Sequence, residues 1–281
     1  MSAPDPGGGR PALVMVHGLG GAGSFWDNLR DRAGRCFEVH TPDLPGHGPG
    51  ATAPTPALAH PRELAGELVR RLRARGLERP HLVGLSLGGW VVLEMAALGY
   101  GASVLALAPA GLWEPGSRIR PASAQTVLRR GLVPVDRLLP RLTATALVGR
   151  VGLRSAVAHP DRVSATQLLG AARALGQATG YGVCDRAAIR HRFDAAAKVG
   201  VPVAVAFGDH DAVLPPTTSQ NRALLPPHAR VSTVADCGHA MTWDQPERCL
   251  ELIAQSTAAD TGAGAVGVPP APVGEDRTGA R

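Results

Sequence analysis

Six short strand-like runs recur along this chain, and most carry no polar face. They are "PALVMVH" (11–17), "CFEVHTPDL" (36–44), "HLVGLS" (81–86), "SVLALAPAG" (103–111), "VPVAVAFGD" (201–209) and "ARVSTVADCGH" (229–239). Helical stretches lie between and after them: 61–76, with an early Glu and a closing Gly, 87–98, and 245–257. A strand without a polar face must be covered on both sides, and strands that alternate with helices run parallel. The chain is thereby confined to an α/β architecture: a mostly parallel sheet of about six strands with helices on both faces. One such domain with an insertion accounts for 281 residues.

The rhythm breaks once, over 112–196, which is too long for an ordinary connection and contains helical segments but no convincing strand. It reads as a helical cap inserted over the C-terminal edge of the sheet, with the core formed by 11–111 and 197–257. The insertion carries 13 Arg against 5 acidic residues, an excess of 8 within a net charge of +6, so the remainder is close to −2. Arginine on such helices reads first as a solvated outer face, and only second as a device that steers anions. Trp113, Tyr181 and Phe193 are its aromatic residues, so an aliphatic pocket is expected. The Pro/Gly/Ala-rich ends, 1–10 and 258–281, read as disordered tails.

Several function classes are disfavoured. Lys198 is the only lysine, and no dense basic run with interleaved aromatics suggests a nucleic-acid surface. Cys36, Cys184, Cys237 and Cys249 form no C-x-x-C pair and have no zinc spacing, which suits free thiols in a reducing cytoplasm. No signal-peptide core and no run of 18 apolar residues is present, so no membrane partner is expected. No phosphate-binding glycine motif appears, and neither metal nor organic cofactor is implied.

One hydroxyl interrupts an otherwise apolar stretch. In "GLSLG" (84–88) Ser86 stands between a strand and a helix, with Gly84 and Gly88 two positions away on each side. This is the setting of a nucleophile elbow: the turn is tight, the flanking residues must be small, and the hydroxyl is lifted above the sheet at a helix N-terminus. A serine needs a base, and of the histidines His239 is the best placed, in a Gly-flanked loop after the last strand. His40, His60, His81, His159, His191 and His228 read as surface or helix-end residues.

With "HGLGG" (17–21), "DLPGHG" (43–48), "GLSLGG" (84–89), "GDHD" (208–211) and "CGHAMTWDQPE" (237–247) in this order, the chain resembles the α/β-hydrolase family over residues 11 to about 257. The resemblance implies that fold and a Ser86–His239–Asp211 triad, with Asp209 as a turn residue able to substitute for Asp211. It implies an oxyanion hole from the backbone N–H groups of Leu19 and Leu87, with Gly18 allowing close approach. His17 and His47 would shape loops beside the site, and Trp26 and Trp243 would wall it or pack in the core. Only about ten residues precede the "HG" strand, so the family's first hairpin is expected to be missing. That would put "CFEVHTPDL" at a sheet edge, as a monomer or a homodimer through that edge. The implied activity is a serine hydrolase, carboxylesterase-like, on a small-molecule ester. Lactone opening, C–C bond hydrolysis, peracid formation and mere binding of a small ligand remain as alternatives. Ser86 argues against the Asp-nucleophile chemistry of dehalogenases and epoxide hydrolases.

Overall fold

The computed structural model describes residues 9–117 and 154–261; most of the expected tails and the middle of the 112–196 insertion lie outside them. Six strands, β1 (Ala12–Val16), β2 (Glu38–His40), β3 (His81–Leu85), β4 (Val104–Leu107), β5 (Val203–Gly208) and β6 (Arg230–Val234), form one sheet in the order β2-β1-β3-β4-β5-β6. Every neighbouring pair is parallel. Among the described residues the sheet has no antiparallel pair, and β2 lies at one edge. All six C-terminal ends therefore point the same way. The strand order reverses between β1 and β3, which opens a crevice above their ends.

Helices α1 (Asp27–Ala33), α2 (Pro61–Arg73), α3 (Leu87–Ala97) and α6 (Pro246–Thr261) cover the sheet; α4 (Ala165–Gln177) and α5 (Tyr181–Arg190) lie between β4 and β5. One face carries α3, in contact with β1, β3 and β4, with α2 packed on it; the other carries α6, against β4 and α1. The two kinds of helix read differently in sequence. α2 is amphipathic: Leu64, Leu68 and Leu72 are buried while Arg62, Arg70 and Arg73 face solvent. Each of those leucines contributes about 1.5–3 kcal/mol of burial. α3 is apolar apart from Glu94, whose carboxylate accepts from Trp90 Nε1 (2.9 Å), and is buried from Leu87 to Ala96, as a helix held between sheet and second helix must be.

Two expectations need correction. α6 continues to Thr261, so the C-terminal tail does not begin at 258. Ser256 and Thr257 donate their hydroxyls to the carbonyls of Ile253 and Ala254 (2.9 and 3.0 Å), which satisfies these side chains within the helix, and alanines follow. His81, expected at the surface, is buried at the start of β3, its Nδ1 2.9 Å from Ser103 Oγ. Among the described residues no helix is long and apolar enough to cross a membrane.

Candidate active site

Ser86 sits at the end of β3 with φ 56° and ψ −118°, a backbone conformation that costs a non-glycine residue about 1–3 kcal/mol. The surrounding structure holds it there. Its N–H donates to Leu107 O (2.9 Å), and its carbonyl accepts from Trp90 N (3.1 Å) and Ala110 N (3.0 Å). Every other residue from His81 to Ala96 is buried; Ser86 alone reaches solvent. The small neighbours are obligatory. A Cβ on Gly84 would lie 2.2 Å from Gly88 O, and one on Gly88 would lie 2.2 Å from Val16 O.

The crevice between β1 and β3 brings the "HG" loop against this turn. A Cβ on Gly18 would stand 3.2 Å from Ser86 Cβ. Residues 18–21 form a tight turn closed by Gly21 N–H donating to Gly18 O (3.0 Å), with Gly20 at φ 75° in the third position. The N–H of Leu19 and that of Leu87, the first residue of α3, make no hydrogen bond among the described residues.

His17 fixes this loop from below. It is fully buried; Leu44 N–H donates to its Nε2 (3.1 Å), and its Nδ1 lies 2.8 Å from Gly18 O. The neutral ring with its proton on Nδ1 satisfies both contacts. Burial lowers its pKa to about 4, against the opposing pull of the Gly18 carbonyl. The consequence for stability has a definite sign. Between pH 6.5 and 4 the unfolded chain protonates His17 and the folded chain does not, so stability is full above 6.5 and falls as pH drops toward 4. At 1.36 kcal/mol per pH unit the loss is about 3 kcal/mol. Urea unfolding at both pH values should show it, and His17→Gln should lose about that much less over the same interval. Equal losses in the two proteins would contradict the assignment.

The remaining two predicted residues meet directly. His239 Nδ1 donates to Asp211 Oδ2 (2.8 Å), and both side chains are buried. The other oxygen of Asp211, Oδ1, accepts from Val213 N (2.9 Å) and Leu214 N (2.8 Å). Burial pushes this carboxyl up, but the adjacent imidazole and these three hydrogen bonds outweigh it and hold the group below the usual carboxylate range. Asp209 has a different task. Its carboxylate accepts from Cys237 N (3.0 Å) and Asp236 N (3.1 Å) and lies 2.7 Å from His210 Nδ1; the Cys237 bond foremost, then His210 and Asp236, lower its pKa to about 2. It holds the His239 loop rather than the imidazole. Ser86 Oγ and His239 Nε2 make no hydrogen bond among the described residues. Phe25 and Trp243, their ring centroids 5.3 Å apart, pack on a small apolar cluster of Val157, Val163, Leu168 and Ala240 beside His239, whereas Trp26 is wholly buried in the main core.

Sequence alone does not single out Asp244, which lies near this site. Its carboxylate accepts from the N–H groups of Gly238, Ala158 and His159. The only cue is a carboxylate five residues after the histidine, and two of its three partners are 86 and 85 residues away.

A family model described as "Alpha/beta hydrolase family" matches residues 13–252. The "Putative carbamate hydrolase RutD" of Cronobacter turicensis is 30% identical over 92% of this chain and 94% of its own length. The pimeloyl-[acyl-carrier protein] methyl ester esterase of Aromatoleum aromaticum is 31% identical over 87% of this chain and 97% of its own. Among solved structures, a thermophilic esterase from Thermogutta terrifontis superposes with a TM-score of 0.61 at 23% identity, over 88% of this chain and 89% of that one.

Proposed function

The chain belongs to the alpha/beta hydrolase family, and on that premise we propose that it cleaves a small to medium carboxylic ester through Ser86, His239 and Asp211 by way of an acyl-enzyme. The observation that carries the reading is the hydrogen bond from His239 Nδ1 to the buried Asp211 carboxylate. It keeps the proton on Nδ1 and leaves Nε2 with a lone pair, the state a general base requires. In the proposed reaction Nε2 takes the Ser86 proton as Oγ attacks the carbonyl carbon. The N–H groups of Leu19 and Leu87 receive the oxyanion, each worth roughly 3 kcal/mol to the transition state. The imidazolium then gives its proton to the departing alcohol. Water, deprotonated by the same nitrogen, releases the acid and restores Ser86.

The 112–196 segment is proposed as the lid of this site. A Cβ on Gly20 would meet Leu175 Cδ1 at 2.9 Å and the Tyr181 ring at 3.0 Å, so α4 and α5 rest on the proposed oxyanion loop. Tyr181 makes this wall partly aromatic rather than purely aliphatic.

A second reading, carbamate cleavage on the same triad, is favoured by the likeness to the Cronobacter protein. A panel of p-nitrophenyl esters of rising chain length, matched carbamates and lactones separates the readings. We expect the highest kcat/KM on an ester, and a fluorophosphonate probe should label the protein. A carbamate or lactone turned over tenfold faster than any ester would replace the first reading. Absence of labelling would leave only ligand binding.

A further inference from the structure

We propose that Asp244 is a positioning residue for His239, and that through it residues 156–159 of the 112–196 segment are mechanically joined to the base; the role of His239 as base is taken from the preceding reading. Asp244 ends the short helix Met241–Asp244 and is buried. Its Oδ2 accepts from Gly238 N and Ala158 N, both at 2.8 Å, and its Oδ1 accepts from His159 N at 3.1 Å. It forms no ion pair among the described residues, so these N–H groups are its compensation for leaving water.

The bonds form part of a larger pattern. The three N–H groups immediately before His239 all end on carboxylates: those of Asp236 and Cys237 on Asp209, that of Gly238 on Asp244. The residue after it, Ala240, donates to Ala156 O (2.7 Å). Asp209 thus ties the histidine loop to the end of β5, and Asp244 ties it to residues 156–159. Gly238 permits the contact, since a Cβ there would lie 2.8 Å from Ala158 N and 2.9 Å from Val157 C. Farther out, His159 Nε2 lies 2.6 Å from Asp236 Oδ1. Residues 156–159 cannot move away without stripping Asp244 of two of its three donors and leaving Ala240 N–H unpaired. Asp211 stays fixed on the β5 side, so any shift of 238–240 stretches its 2.8 Å bond to His239. Motion of residues 156–159 is thereby converted into misalignment of the imidazole.

The test needs one measurement on the native protein and one on a variant. In the wild type the amides of Ala158, His159 and Gly238 should exchange hydrogen in a single kinetic group, because they open together. Asp244→Asn retains one oxygen for Gly238 and Ala158 but turns an NH2 toward the His159 N–H. Exchange in 156–159 and in 236–240 should then rise together, at least tenfold, with β3–β5 unchanged. The rate of fluorophosphonate labelling of Ser86 should fall at least tenfold, with a displaced pH midpoint. Separate opening of the three amides in the wild type, faster exchange in only one segment of the variant, or a wild-type labelling rate and midpoint in Asp244→Asn each overturns the proposal. A wild-type protein that the probe does not label at all overturns the serine hydrolase reading instead, and the exchange results still decide whether the two segments are joined.

Discussion

Ser86→Ala is expected to lower ester turnover by roughly 10^4- to 10^6-fold and to abolish fluorophosphonate labelling while leaving the fold intact. The hydroxyl makes no hydrogen bond among the described residues and sits at the one partly exposed position between His81 and Ala96, so its removal costs little packing. Alanine still pays for φ 56°, and its melting temperature should stay close to that of the wild type. Ser86→Gly relieves that conformation and should melt higher while being equally inactive. This opposition of stability and activity is the mark of strain kept for function. Retention of more than a tenth of the wild-type turnover in purified Ser86→Ala would exclude Ser86 as nucleophile. A Gly variant no more stable than the Ala variant would show that the turn is not strained.

Asp211→Asn is expected to lower kcat by roughly 10^4-fold, with little change in KM. The geometry dictates the sense of the failure. Oδ1 of Asp211 receives two backbone N–H groups, so the amide oxygen of an asparagine must occupy that side. Its NH2 then faces His239 Nδ1, which must accept, and the ring proton moves to Nε2. The nitrogen that should take the Ser86 proton already holds one. Asp209→Asn supplies the contrast: it loosens the loop of residues 236–237 and should cost far less in kcat. Steady-state kinetics on an activated ester, beside unfolding curves for both variants, checks the pair. Equal losses of kcat would refute the division of labour between the two carboxylates.

Much of this was legible from the residues because it depended on near neighbours. Apolar runs between helices identified the parallel sheet, and "GLSLG" identified its own turn, since the glycine spacing is set by clashes within five residues. The loops after β5 and β6 pointed to Asp211 and His239, the two residues that the hydrogen bond between them brings together. What was hidden depended on partners remote in the chain. Asp244 looks like any acidic residue at a helix end until Ala158 and His159 are brought beside it. His81 looked exposed because a lone histidine at a strand start gives no hint of Ser103 across the ladder. The Gly/Pro/Ala-rich composition beyond 257 hid the last turn of α6, which runs on through two alanines to Thr261.

β4 and β5 are adjacent in the sheet although some 95 residues separate them along the chain. The entropy lost in closing such a loop grows only as the logarithm of its length, so doubling it would cost about 0.6 kcal/mol. Evolution can therefore lengthen, shorten or replace what lies between these two strands almost without thermodynamic resistance. The same long closure must be made before that pair of strands can zip, which delays the ladder during folding. A chain of this design trades speed of assembly for freedom to vary the stretch between these strands.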